Sequence, residues 1–404
     1  MDWVGAYEKY KTIFKTYRLP LAFVDLDRFD RNISYVASTQ KNTGKTIRVA
    51  SKSIRSVDLI KRVFEKGGPV YKGVLAFTME EAAFLIDNGL DDIIVAYPTV
   101  QASDLELFAE KTQQGATVSL MVDSVAHLEC ISRKAENAGL CLNVCLDADM
   151  SFRPFGGRIH LGVRRSPLFD PDQVLSLAKK ALTMPGLKIT GFMGYEAQIA
   201  SLNDDVPGQG PKNWLLRFFK NRSARELWAR RAQMINGLSA MGIDLEVVNG
   251  GGSGSLYFTG QDDSVTEVTA GSAFFAPGLF TYFHDVHFEP SAFFALQVAR
   301  IPKKGMVTCQ GGGYVGSGEV NANRLPWPVM PQGLSYLPME GAGEVQTPLV
   351  LPKDCPALVP GDPVFFQHAK AGELCERFNE LHLVTDNTCI GTVPTYRGQG
   401  NAFL

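Results

Sequence analysis

Residues 46–77, TIRVASKSIRSVDLIKRVFEKGGPVYKGVLAF, decide the fold. A short β-branched run ends on Ser51 and Lys52, an amphipathic segment closes on Gly67 and Gly68, and a second apolar run follows. Strand, helix and strand in that order make one βαβ unit. The pattern then repeats. Strand candidates follow at GVLAF (73–77), DIIVAYP (92–98), TVSLMVDS (117–124), LNVCLDAD (142–149), ITGFMGYE (189–196), LEVVNGG (245–251) and TEVTAG (266–271). Amphipathic segments such as TMEEAAFLIDNG, VAHLECISRKAENAG and PDQVLSLAKKALTMPG lie between them, and most end on the glycine that a helix C-terminus favours. With TIRVASK these make eight strand–helix alternations, which predicts an α/β fold of the (β/α)8, TIM-type class rather than an open doubly wound sheet.

Working outward, AFVDLD (22–27) stands alone ahead of the first alternation. Beyond about residue 287 short alternating runs with frequent Pro and Gly replace the helical period: FFALQVARI, GMVTCQGGGY, TPLVLP, DPVFFQHA and ELHLVTD. This predicts a C-terminal antiparallel β domain. The expected division is 1–27, a helix and a strand joining the β domain; 28–286, the barrel; and 287–404, the β domain. Residues 150–168 and 199–221 interrupt the rhythm as long insertions on the rim where barrels place their chemistry.

The 404 residues carry a net charge of -2, with 45% hydrophobic and 20% charged residues, which gives no electrostatic reason to expect nucleic acid or an anionic membrane as partner. No apolar run is long enough to span a bilayer, and MDWVGAYEKYKTIFKTYRLP lacks the apolar core of a signal peptide. A cytoplasmic location is expected. The seven cysteines form no CxxC pair and read as reduced thiols.

Three elements carry chemistry. Lys52, at the end of the first barrel strand, emerges from a packed core. Desolvation there favours the neutral amine that attacks an aldehyde, whereas a snorkelling or ion-paired lysine is the plain alternative. VVNGGGSGS (247–255) exposes consecutive backbone N–H groups that can cradle a phosphate, with Gly271 and Ser272 after the next strand forming a second small-residue corner. The loop is neither GxGxxG nor a Walker loop, so no nucleotide is indicated. HLGVRRSPL (160–168) brings two arginines after the fifth strand, either as a solvated pair or as a guanidinium facing a pyridine nitrogen. Tyr195 and Glu196 end the sixth strand, and Asp147 and Asp149 the fifth.

The segment PLAFVDLDRFDRNI…RVASKSIRSVDLIKRV…FTMEEAAFLIDNGLDDIIVAYPTV resembles the N-terminal barrel of the alanine racemase-like, fold-type III enzymes of pyridoxal 5′-phosphate, in particular the D-threonine aldolase and D-serine dehydratase branch. GFMGYEAQ, NGGGSGS and TEVTAGS continue the likeness in order over residues 20–285. The resemblance implies that Lys52 carries the cofactor as an imine. It gives Gly251, Gly252, Ser253 and Gly254 to the phosphate, with Gly271 and Ser272 nearby. It puts Arg165, with Arg164 the alternative, at the pyridine nitrogen, and Tyr195 against the cofactor or the pocket. It further implies a small amino-acid substrate and a homodimer with its sites near the interface.

The implied reaction is lysis of a D-amino acid with a 3-hydroxyl, by aldol cleavage or dehydration, with Lys52 and His368 catalytic. Alternatives are a racemase, with Tyr314 as a second base, and a protein that binds the cofactor without catalysis. Histidines that the branch places around its lysine are replaced by Ala50, Ile54 and Arg55. Metal-dependent members use a histidine followed two residues later by cysteine or aspartate. Here His368 is followed by Lys370, which is no metal ligand, so a divalent metal on His368 would need Glu373 or Cys375 instead. Glu340 and Glu344 in YLPMEGAGEVQTPL are candidates to face the pocket.

Overall fold

The computed structural model describes residues 2–319 and 321–404. Eight parallel strands close into a barrel: Thr46–Ala50, Tyr71–Ala76, Ile93–Val95, Val118–Val122, Leu142–Asp147, Leu187–Gly194, Val247–Gly250 and Glu267–Ala270. Closure is made by the last strand on the first, with Thr46 opposite Glu267 and Val49 opposite Ala270. The strands are rich in Val, Ile and Leu because both faces are covered, by helices outside and by side chains inside. The interior also holds a polar cluster. Arg48, fully buried, donates to Glu267 Oε1 at 2.6 Å and Asp92 Oδ1 at 2.9 Å, and Asn249 donates to Glu267 at 2.7 Å. Each buried charge there has a partner, as burial of an ion requires.

The second unit is a nine-stranded sheet. Leu21–Asp25 lies inside it, antiparallel to Ala292–Lys303 with Phe23 opposite Phe293, and parallel to Glu380–Thr385. The helix Trp3–Ile13, capped by the Asp2 carboxylate, lays Tyr10 against Phe23, Phe293 and Phe365. Each of these phenylalanines is fully buried and contributes roughly 1.5–3 kcal/mol. The N-terminal strand therefore belongs to the distal sheet, and the barrel begins with the helix Leu26–Thr39 that leaves it.

One expectation is corrected. Residues 199–221 are not an irregular insertion throughout: from Gly210 the chain is a helix, Gly210–Ala240, of 31 residues. Pro211 sits in its first turn, where a proline starts a helix rather than breaking it. The 150–168 segment stays irregular, held by the bridge Phe152–Leu161.

The sheet folds back over the rim of the barrel. Gly278 and Leu279 donate to the carbonyls of His368 and Ala369 at 3.0 Å each, and Tyr396 N donates to Arg55 O at 2.9 Å. Among the described residues no helix is long and apolar enough to cross a membrane.

Candidate active site

Lys52 stands in a tight turn, Ser51–Ser53, directly after the first barrel strand. Its Nζ is 3.4 Å from Tyr97 Oη at the end of the third strand. Burial pushes the Tyr97 phenol up, but the cations of Lys52 and Arg165 outweigh it and the net direction is down. Arg165 lies 5.8 Å from the centre of the Tyr97 ring and 5.7 Å from that of Tyr195. The structure therefore brings Arg165, not Arg164, between these two rings. Arg164 lines an outer cavity of about 500 Å³ with Asp149, Arg153, Arg158, His160 and Arg165. Asp147, beside Arg165, has its carboxyl raised to about 7 by burial and by Asp123.

The glycine-rich loop is built from below. Glu196 accepts from Gly251 N at 2.7 Å and from Thr259 Oγ1 at 2.8 Å. Arg231 reaches Glu196 at 3.3 Å and also pairs with Asp262, all of them buried. Gly251 has φ +76, and a β-carbon there would meet Thr259 Oγ1 at 2.7 Å. Ser253 Oγ accepts from the N–H groups of Gly271 (3.1 Å) and Ala273 (3.0 Å), tying the two strand ends together. Ser272 Oγ is 3.4 Å from Ser53 Oγ, next to Lys52. The N–H groups of Ser253, Gly254 and Ser272 bond no other protein group among the described residues. Gly254 is packed against Ala200 O and Phe283, so a side chain there would overlap both. Tyr195, its hydroxyl 2.7 Å from Ser201 Oγ, lies under Gly252. Three unpartnered N–H donors in a glycine cradle, one turn from a lysine amine, fit a phosphorylated aldehyde.

The sheet supplies the opposite wall, with a cavity of about 250 Å³ lined by Tyr314, Ser317, His368, Lys370, Glu373 and Arg377 among others. His368 is buried, and burial lowers its pKa to about 4. Its Nδ1 is 3.3 Å from Ala292 O, and because a carbonyl only accepts, Nδ1 carries the proton. Nε2 is then a lone pair, buried and without a partner among the described residues. Lys370 Nζ donates to Ser317 Oγ at 2.5 Å and lies 3.7 Å from Glu373 Oε1. Burial, opposed by Glu373 and reinforced by Lys52 and Arg324, lowers its hold on its proton.

The divalent metal set out for His368 does not fit these donors. Among the described residues no three His, Cys, Asp or Glu side chains cluster to hold an ion. Cys375 donates its thiol to Ile54 O at 3.2 Å, and Glu373 is taken by Lys370 and Ser317 N. Glu340 and Glu344 are both exposed, on a loop whose Met339 is 96% exposed. Tyr97, Lys370 and the Arg231–Glu196 support are additions to the expected set. Tyr97, at a barrel strand end, carried the positional signal that marks Lys52.

The family model described as alanine racemase, N-terminal domain, matches residues 24–277. The 3-hydroxy-D-aspartate aldolase of Paracoccus denitrificans is 27% identical over 269 residues, 66% of this chain and 62% of that protein. The match thus spans less than two thirds of the relative's length. The D-threonine aldolase of an Arthrobacter species is 24% identical over 259 residues, 64% of this chain and 61% of the relative. Of solved structures, the D-threonine aldolase of Filomicrobium marinum superposes with TM-score 0.79 at 21% identity, covering 94% of this chain and 95% of that one. The D-threo-3-hydroxyaspartate dehydratase of Delftia sp. HT23 superposes at 0.74, with 19% identity and 94% and 98% coverage.

Proposed function

The chain belongs to the alanine racemase N-terminal domain family, and from that premise we propose that it is a pyridoxal 5′-phosphate-dependent lyase of D-3-hydroxy amino acids, cleaving them by aldol fission or dehydrating them. The observation that carries the reading is the pairing of the Lys52 amine with unpartnered N–H donors at Ser253, Gly254 and Ser272 on neighbouring strand ends. Relatives named as D-threonine aldolase, 3-hydroxy-D-aspartate aldolase and D-threo-3-hydroxyaspartate dehydratase support the substrate class.

Bound pyridoxal phosphate supplies an electron sink for bonds at the substrate's α-carbon. The protein's residues then divide the work. The N–H groups of Ser253, Gly254 and Ser272 would hold the phosphate, with Gly251, Gly252 and Gly271, whose own N–H groups are taken by Glu196, Ser255 and Ser253, shaping the loop around it. Lys52 Nζ would be the point of attachment and the amine that takes or returns the α-proton, with Tyr97 Oη hydrogen-bonded to it. Arg165 would face the ring nitrogen. A guanidinium only donates, so it keeps that nitrogen unprotonated. Tyr195 lines the cradle from below. His368 Nε2, a lone pair, accepts from the substrate's 3-hydroxyl.

Seven free cysteines with no disulfide favour a reducing, cytoplasmic compartment. A homodimer with its sites near the interface is part of the same reading, and the exposed Trp214, Leu215 and Phe218 on one helix offer apolar surface for it.

The test is a spectrum followed by a substrate panel. Protein incubated with pyridoxal phosphate should show visible absorbance that borohydride abolishes, and Lys52→Ala should lack it. The loaded protein should release glycine, or ammonia with a 2-oxo acid, from a D-3-hydroxy amino acid. Formation of the L-enantiomer without cleavage would establish a racemase instead. Absorbance without turnover on any substrate would leave a cofactor-binding protein.

A further inference from the structure

His368 and Lys370 flank Ala369 on the segment that covers Lys52, and both line the same 250 Å³ cavity. His368 presents a buried Nε2 with no partner among the described residues, an acceptor waiting for a donor. Two residues on, an amine stands where a metal ligand would be needed. Its contacts, Ser317 Oγ and Glu373, are those of an ammonium, not of an ion's ligand shell. Glu373 is drawn to Lys370 and to Ser317 N, and Cys375 points to Ile54 O, so neither completes a donor set. The lysine also belongs to the site: the phenol of Tyr97 feels the charges of Lys52, Arg165 and Lys370 together.

We propose that the Lys370 ammonium occupies the position of a divalent cation in this chain, donating to the oxygen on carbon 3 of the substrate, so that the lyase works without a metal. This rests on the reading above. In aldol fission, Nε2 of His368 takes the hydroxyl proton and the O–H pair becomes the C3=O bond. The Cα–C3 bond breaks with its pair passing to the α-carbon, and the ammonium meets the charge on oxygen. In dehydration, the ammonium gives a proton to the hydroxyl as the C3–O bond breaks and water leaves. A cation fixed to the chain replaces one drawn from solution. It also repels a divalent ion from the only nitrogen ligand the cavity offers among the described residues.

The test begins with metal content. Full-length protein loaded with pyridoxal phosphate is incubated with Mn2+ or Zn2+, passed through a desalting column and measured by mass spectrometry of the metal. Less than stoichiometric retention is expected, and one firmly held ion per chain would overturn the proposal whether or not any substrate is turned over. Lys370→Cys, which sets a thiol two residues after His368, is expected to retain the ion and, with Co2+, to show thiolate-to-metal absorbance. A cysteine variant as metal-free as the parent would show that the lysine is not what stands in the ion's place. On turnover, a chelator should leave the parent unchanged. Lys370→Met should lower kcat on the order of 100-fold while visible absorbance and its loss with borohydride persist. Full turnover in that variant, or chelator-sensitive turnover in the parent, would refute the assignment. A parent that turns over no 3-hydroxy amino acid defeats the function proposed above, and the metal measurements still decide the occupant of the site.

Discussion

Gly372 is packed so tightly on Lys52 that a β-carbon on the glycine would overlap the lysine's carbonyl oxygen. The two residues are 320 positions apart, and their contact fixes where the sheet meets the barrel. Gly372 has φ +85, open to glycine but strained for any other residue. Arg55, three residues after Lys52, donates to Lys52 O at 3.1 Å and pairs with Glu376, so the turn carrying the lysine is clasped from both sides.

Gly372→Ala should therefore injure the site more than the fold. Backbone cannot yield as a side-chain tip does, so segment 368–377 must lift from Lys52, and strain of order 1–3 kcal/mol accompanies it. The expected result is a melting temperature lower by a few degrees, together with faster loss of bound pyridoxal phosphate on dialysis. A variant that melts lower but holds the cofactor as the parent does would show that the contact is only structural.

The buried arginine under the glycine loop gives a second expectation. Arg231 pairs with both Glu196 and Asp262, each almost fully buried. Arg231→Met keeps the volume but leaves two carboxylates unpaired, at a cost of about 3–5 kcal/mol. Urea unfolding should show that loss. Because Glu196 also holds Gly251 N, cofactor affinity should fall in the folded fraction. Stability within about 0.5 kcal/mol of the parent would mean that water enters to solvate the carboxylates.

The barrel is legible in the sequence because each strand is a short β-branched run between amphipathic helices, and that period is set by local burial. The strand-end rule leads to Lys52, Tyr195, Asp147 and the NGGGSGS loop, and the same rule applied to DIIVAYP leads to Tyr97. Arg231 carries no such mark. It sits mid-helix among other charged residues, and only the fold reveals that it points inward to Glu196 and Asp262. The closure of residues 368–377 over Lys52 is likewise invisible, since it rests on contacts between residues far apart in the chain, such as Gly372 against Lys52 O, whereas the joining of the 22–27 strand to the distal sheet is legible. The helix from Gly210 is obscured by the Pro and Gly residues around its start.

Stability should fall as pH rises through the neutral range, and Glu81 is a main reason. Its carboxyl is fully buried, accepting from Phe77 N at 2.7 Å and Tyr396 Oη at 2.9 Å, and burial raises its pKa from 4.5 to about 7. The folded state thus holds this proton more tightly than the unfolded chain. The linked stability is present in full below about pH 4.5 and is lost as pH climbs through about 7. The lost amount is on the order of 3 kcal/mol, and Asp147, raised in the same direction, adds to it. Glu81→Gln, which cannot ionise, should flatten the fall in melting temperature across that window without abolishing it. An unchanged pH profile would show that Glu81 stays protonated throughout or is ionised throughout.

Gly254 offers the cleanest probe of the phosphate cradle. Its neighbours are Ala200 O and the Phe283 ring, the first of which is backbone and cannot rotate away. Gly254→Ala must therefore shift the loop and turn the N–H groups of Ser253 and Gly254 off a common point. Each such donor to a charged oxygen is worth about 1.5–3 kcal/mol, so the dissociation constant for pyridoxal phosphate should rise roughly 10- to 100-fold. Pyridoxal without its phosphate contacts none of these donors. It should bind the variant and the parent with equal affinity in the same absorbance titration. If both ligands weaken together, the loop acts on Lys52 rather than on the phosphate. If neither weakens, the anion site lies elsewhere on the rim.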